Sequence, residues 1–172
     1  MKKVTIISTC RYTLSMEEFV RPLKDIVRNC GCGVEVKNYK DVFVPGGEKV
    51  IISGTALMDF DYLNYLKNFK WIRNFEGGIL GICAGAQLIA LTFGCSLVEK
   101  KIIGSCEIEF LGEKRRAYFL VSKVPRLNEC FEVLGRLNDA PAYFKLKGKE
   151  IYGVLFYPEV LNRDLIIKFL KS

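Results

Sequence analysis

Gly81-Ile82-Cys83-Ala84-Gly85 constrains this chain more than any other stretch. The apolar run Gly78–Ile82 precedes it and the apolar run Ala84–Phe93 follows it. A Gly-x-Cys-x-Gly frame between a strand and a helix reads as a nucleophile elbow, a turn too sharp to carry side chains at the flanking positions. It places Cys83 at the N-terminus of the following helix. There, unpaired backbone N–H groups and the helix dipole favour a thiolate, so a partly exposed, reactive thiol is expected. The chain has no histidine. The usual base for a cysteine nucleophile therefore cannot come from this polypeptide.

The pattern around the elbow is that of an α/β protein. Val4–Thr9, Val34–Val36, Lys49–Gly54 and Gly78–Ile82 are β-branched or apolar runs of strand length. Between them stand segments of helical spacing: Met16, Phe19, Val20, Leu23, Ile26 and Val27, then Phe60, Leu63, Leu66 and Phe69. Ser15-Met16-Glu17-Glu18 is a capping-box candidate, and Pro22 kinks that helix or marks its true start. Strands alternating with helices predict a parallel sheet covered on both faces. After Gly94 come short strand-like runs, at 95–99, 101–110, 117–122, 131–134 and 142–146. The strand Glu150–Phe156 and an amphipathic closing helix (Leu161, Leu165, Ile166, Phe169, Leu170) end the chain. The expectation is a single domain over residues 1–172, a three-layer α/β sandwich with a mostly parallel sheet and an antiparallel second half.

Composition excludes several classes. Half of the 172 residues are hydrophobic, so the chain buries a core. No apolar run of spanning length occurs, and a cytoplasmic protein with no membrane association is the expectation. The net charge of +7 comes from scattered Lys and Arg. With no basic block, it points to a solvated surface or an acidic partner face before nucleic acid. The seven cysteines lack a Cys-x-x-Cys, and without histidine no metal site is expected. Most of them read as small buried apolar residues. No cofactor is implied.

Three stretches resemble one family. Gly81 to Ala90 is similar to the cysteine elbow of class I (triad-type) glutamine amidotransferases. Ile151-Tyr152-Gly153-Val154-Leu155-Phe156-Tyr157-Pro158-Glu159 resembles that family's C-terminal motif, which ends in Phe-His-Pro-Glu. Val50-Ile51-Ile52-Ser53-Gly54 resembles the strand leading into its oxyanion loop. The motifs stand in the family's order and span most of the chain. Phe131–Leu134 and the Ile151–Val154 run look closest to the glutaminase subunit of GMP synthase. The resemblance implies a flavodoxin-like fold in which Cys83 attacks the side-chain amide of glutamine and Glu159 orients the proton-relaying group. The N–H groups of Ala84 and of the Gly54–Thr55 loop would form the oxyanion hole, and Gln87 would line the glutamine pocket. A synthetase subunit and glutamine, or another small amide, are the implied partners.

The departures are as specific as the matches. Tyr157 stands at the family's histidine position. The oxyanion loop reads Ser53-Gly54-Thr55-Ala56 where the family has Ser-Gly-Gly-Pro. Ser122-Lys123-Val124-Pro125-Arg126 replaces a substrate-holding Ser-His-Gly-Asp-Glu. A phenol is a poor base at neutral pH, so Tyr157 reads either as a proton donor or as a half-buried ring filling the emptied pocket. Glu159 reads either as the orienting acid or as a cap on the closing helix, and Gln87 either as pocket wall or as bonded within its own helix. The sequence leaves three functions open. They are a domain with an incomplete triad that binds or regulates, an active glutaminase feeding ammonia to a synthetase, and a thiol enzyme of other chemistry.

Overall fold

The computed structural model describes residues 1–172. The strands are β1 (Lys3–Ser8), β2 (Gly33–Asn38), β3 (Lys49–Ile52), β4 (Gly78–Ile82), β5 (Ser96–Phe110), β6 (Glu113–Arg126), β7 (Phe131–Leu137), β8 (Ala140–Leu146) and β9 (Ile151–Val154). The helices are α1 (Thr13–Phe19), α2 (Arg21–Asn29), α3 (Ala84–Thr92), α4 (Pro158–Leu161) and α5 (Arg163–Lys171), with a 3-10 helix at Asp61–Asn74.

All nine strands form one sheet in the order β2-β1-β3-β4-β9-β8-β7-β5-β6. The first five in that order are parallel, and the rest are antiparallel. β4 is buried at all five positions because helices cover both its faces. A Cβ on Gly81 would meet the Gly85 carbonyl at 2.6 Å, whereas one on Gly78 would meet Phe169. Thus α3 and the 3-10 helix lie on one face, and α5 on the other. α3 is apolar on every side, with eight of nine residues buried, because it is wedged between the sheet and the 3-10 helix.

Before β4, local expectations are corrected in three places. Pro22 lies in the first turn of α2, so Val20 separates two helices where one was expected. Tyr12 is the N-cap of α1 and no side chain caps it, so Ser15 forms no capping box. The segment after Asp59 is a 3-10 helix interrupted at Tyr65, and it buries Tyr62, Phe69 and Ile72. Phe60, Leu63 and Leu66 are only partly buried, since the tighter coil turns a different stripe inward than the α-helical period does.

The runs expected at 95–99 and 101–110 are one long strand with a register shift between Glu99 and Ile102. Paired with β6, it makes a hairpin closed by Leu111-Gly112. The hairpin curls back over the parallel half: Phe119 bridges Phe156, and the Tyr157 N–H donates to the Tyr118 carbonyl at 2.8 Å. That curl places the middle of β6 over the end of β4.

Candidate active site

Cys83 sits between β4 and α3 with φ 49° and ψ −100°. A non-glycine residue at positive φ is strained and needs surrounding packing to hold it. That packing comes from the flanking glycines. A Cβ on Gly85 would come within 2.8 Å of the Ile52 Cβ, so only glycine lets α3 start this close to β3.

The thiol is not the partly exposed thiolate that the elbow motif suggests. Cys83 is 5% exposed, and its S–H donates to the Leu120 carbonyl at 3.5 Å. Burial pushes its pKa up to about 11, against smaller lowering contributions from the Tyr157 hydroxyl and the Ala84 N–H; the Glu159 charge pushes further up. Desolvation by the curled β6 strand outweighs the helix N-terminus.

Tyr157 is fully buried, at 1% exposure, rather than half-buried. Its hydroxyl donates to the Thr55 carbonyl at 2.8 Å, and its ring stacks obliquely on Phe19, 5.3 Å between centroids. A Cβ on Gly54 would lie 2.6 Å from the Tyr157 hydroxyl, so the phenol and the glycine fit only together. Burial raises the phenol pKa well above its ordinary value, and the neighbouring thiol raises it further.

Glu159 follows on α4, which Tyr157 caps through its backbone. It does not cap α5, whose N-cap is Asn162. Its side chain is 5% exposed, and Oε2 has no hydrogen-bond partner. Burial pushes its pKa up to about 8, against its own N–H and the nearby Arg163. Cys83, Tyr157 and Glu159 thus share one buried corner.

The oxyanion-loop candidates are held rigidly. The Thr55 hydroxyl donates to Asp59 at 2.8 Å, and the Asp59 carboxylate also accepts the Arg11 N–H at 2.8 Å. The Gly54 carbonyl accepts from the Ser53 hydroxyl at 3.0 Å. The N–H groups of Gly54 and Thr55 donate to nothing in the protein. Gln87 bonds outside its own helix: it accepts from the Tyr62 hydroxyl and donates to the Lys123 carbonyl at 2.8 Å.

The cavity lined by Thr55, Tyr62, Cys83, Ala84, Gln87 and Leu120 has a volume of about 10 Å³. That is at the lower limit for one water and far below what a glutamine side chain needs. Ser122, on the same wall, has a buried hydroxyl with no partner. Sequence reasoning missed Tyr62, Leu120 and the unpaired Ser122 hydroxyl. Ser122 and Tyr62 are ordinary strand and helix residues in the sequence, and Leu120 acts through its backbone. Only the curl of β6 brings Leu120 and Ser122 to Cys83, and only the packing of the 3-10 helix on α3 brings Tyr62. All seven cysteines are free thiols, and Cys10, Cys83 and Cys95 are buried.

The family described as glutamine amidotransferase class-I matches residues 15–171. A glutamine-hydrolyzing GMP synthase subunit of Methanosarcina barkeri is 27% identical, covering 99% of this chain and 97% of that one. The corresponding GMP synthase subunit of Pyrococcus furiosus is 36% identical over 115 residues, 59% of this chain and 61% of its own length. The glutamine-hydrolyzing GMP synthase of Campylobacter hominis is 30% identical over 152 residues, which are 81% of this chain and 28% of that protein. The chain therefore spans less than two thirds of these last two relatives. Among solved structures, a candidate GMP synthase subunit of Thermoplasma acidophilum superposes with a TM-score of 0.87. It is 22% identical and covers 99% of this chain and 93% of that one. A glutamine amidotransferase of Thermotoga maritima gives a TM-score of 0.73 at 17% identity, covering 92% of this chain and 76% of that one. At those identities the structures speak for the fold, with its curled mixed sheet. No helix here is long and apolar enough to cross a membrane.

Proposed function

The chain belongs to the class I glutamine amidotransferase family, and from that premise we propose that it is a glutaminase-type domain with an incomplete triad that binds or regulates rather than turns glutamine over. One observation carries this reading. The side chain at the family's histidine position is a buried phenol that donates its proton to the Thr55 carbonyl and supplies no base. Acylation needs a base to take the thiol proton and an acid to give it to departing ammonia. Deacylation needs a base to activate water. Tyr157, with its pKa raised by burial, serves at best as the acid. The thiol itself is protonated at neutral pH, and the cavity above it admits no amide.

Cys83 and Glu159 are the nucleophile and orienting acid inherited from the fold, and Gly54, Thr55 and Ala84 the inherited oxyanion donors. Gln87 is spent on Tyr62 and Lys123. The relatives are named as subunits of a synthase, and a synthetase subunit is the partner this reading assigns. Tyr12, Leu14, Met58, Val160 and Leu161 are exposed apolar side chains. They follow the C-terminal ends of β1, β3 and β9, the sheet edge that carries Cys83, and they support that assignment. A second reading, an active glutaminase whose base comes from the partner, draws on the unused Gly54 and Thr55 N–H groups.

Ammonia release from glutamine, wild type against Cys83→Ala, tests the reading. Without a proton relay, turnover is expected at least about 10²-fold below an intact triad. Cys83-dependent turnover above that level by the isolated chain refutes impairment. Thioester hydrolysis that needs Cys83 would instead point to a thiol enzyme of other chemistry.

A further inference from the structure

A second cavity lies on the opposite face of the sheet, away from Cys83. It encloses about 430 Å³ between α5 and the antiparallel strands and shares no residue with the Cys83 pocket. That volume is in the range of small-molecule sites. It exists because α5 is only nine residues long. The helix covers β4 and leaves the face of β9, β8, β7 and β5 partly open.

The floor is aromatic. Phe110 and Tyr143 stack 4.9 Å apart and 6° from parallel, and Tyr143 stacks on Tyr152 at 6.0 Å. Phe169 of α5 meets Tyr152 edge-on. Phe110 and Tyr143 come from strands separated by β7, and both pair with Gly135. A Cβ on Gly135 would stand 3.2 Å from the Tyr143 Cβ. The missing side chain lets the rings stack across the gap, with the Arg115 guanidinium over the outer Phe110 face at 4.6 Å, so that the stack turns its apolar ring edges to the cavity.

Charge on the rim is asymmetric. Arg115 pairs with Asp164 at 2.8 Å and Lys145 with Glu150 at 3.0 Å. Lys168, one helical turn from Asp164, lines the cavity and pairs with no carboxylate. Lys49, over the Phe169 ring at 4.8 Å, lines the adjoining groove with Glu48 and Glu150 and not this cavity. Glu113, at the hairpin tip beside Arg115, is the one lining carboxylate without a salt bridge. The Tyr143 hydroxyl makes no hydrogen bond within the protein, although Tyr143 lines the cavity. An aromatic floor, a free phenol donor and one unpaired ammonium group are the complement of one chemical class.

We infer that this cavity binds a small aromatic anion, its ring packed against the edges of the Phe110–Tyr143–Tyr152 stack and its carboxylate or phosphate set against Lys168. The site is independent of glutamine chemistry.

The probe is 8-anilinonaphthalene-1-sulfonate, titrated by fluorescence into the full chain. Saturable one-to-one binding is expected. Lys168→Glu should weaken it roughly fivefold, the worth of one exposed charge contact, and Leu134→Trp, which fills the cavity, should weaken it by at least about tenfold. Lys70→Glu, on the 3-10 helix, should change nothing. If Leu134→Trp does not fold, as judged by its melting curve, Lys168→Glu decides alone. AMP and 2-naphthoate then compete for the probe. Displacement by the first assigns a phosphate-bearing ligand, and displacement by the second a carboxylate-bearing one. Binding indifferent to Lys168→Glu, or displaced by neither competitor at millimolar concentration, overturns the inference.

Discussion

A buried carboxyl with an unpartnered oxygen makes stability depend on pH. Glu159 has its folded pKa raised to about 8 from an ordinary 4.5. The folded state therefore holds a proton that the unfolded state has lost between those two values. Its contribution is full below about 4.5 and is lost as pH rises through about 8. The carboxylates with lowered pKa values (Glu35, Asp61, Asp139 and Glu150) titrate below that window, so the slope inside it belongs to Glu159. Glu159→Gln keeps the shape and removes the charge. Its urea midpoint should be nearly flat from pH 5 to 8, where wild type loses on the order of a few kcal/mol, and it should be the more stable protein at pH 8. A wild-type midpoint that rises across the window contradicts the buried neutral acid. Cys83 makes a parallel case. With a pKa of about 11, only about one thiol in 10⁴ is ionised at pH 7. Iodoacetamide labelling of the Cys83 peptide, followed by mass spectrometry, should rise about tenfold per pH unit through pH 10. A plateau near pH 7 means that the helix N-terminus dominates after all.

Elements here are placed by glycines and turns that tolerate little change. Gly85→Ala would drive a methyl group into Ile52 and lever α3 off β3. The loss should exceed about 3 kcal/mol, in the range reserved for core overpacking and strain, and thermal melting checks it. The β5–β6 turn offers the opposite case. Leu111 (φ 51°) and Gly112 (φ 81°) both sit at positive φ, as a two-residue type I′ turn requires. Leucine is costly there by about 1 kcal/mol. Leu111→Asn should raise the melting temperature by about 2–4 °C, and no gain would mean that the leucine's packing against the hairpin offsets its strain. This contrast marks what the sequence could reveal. The elbow was legible because its determinants, Gly81, Cys83 and Gly85, are adjacent and answer to sterics alone. The inner parallel strands β1, β3 and β4 were legible because they are buried almost throughout and rich in β-branched and apolar residues. The long hairpin read as fragments because β5 buries only Ile108 and Phe110 and shifts register between Glu99 and Ile102, and β6 buries no residue before Ala117. The 3-10 helix after Asp59 read as α-helix because both place apolar residues three apart.

The closed state of the site belongs to the whole molecule, and the sequence did not reveal it. Three long-range contacts produce it: Cys83 to Leu120, Gln87 to Lys123, and Tyr157 to Thr55, at sequence separations of 37, 36 and 102. No local pattern encodes them; the first two exist only once β6 curls over the parallel half, and the third only once β3 and β9 flank β4. Their consequence is that restoring one group should not restore turnover. Tyr157→His supplies an imidazole between Cys83 and Glu159. It also frees the Thr55 carbonyl and removes the ring that packs on Phe19 and Gly54. The cavity still ends at Leu120 and Ser122, Gln87 remains bound to Tyr62, and Glu159 remains a neutral acid below about pH 8. Ammonia release by Tyr157→His should therefore stay within about tenfold of wild type, against the roughly 10²–10⁴-fold that a working acid–base group supplies. The decisive comparison adds the synthetase subunit purified from the same source. Complex formation, read by sedimentation, should survive Cys83→Ala and Tyr157→His and be lost in a Leu14→Glu, Leu161→Glu double variant, because docking depends on the exposed apolar rim and not on the thiol. Ammonia release in the complex should remain independent of Cys83. Turnover that appears only in the wild-type complex would establish that the partner opens β6 and brings its own base. Strong recovery by Tyr157→His alone would establish that the histidine was all that had been lost.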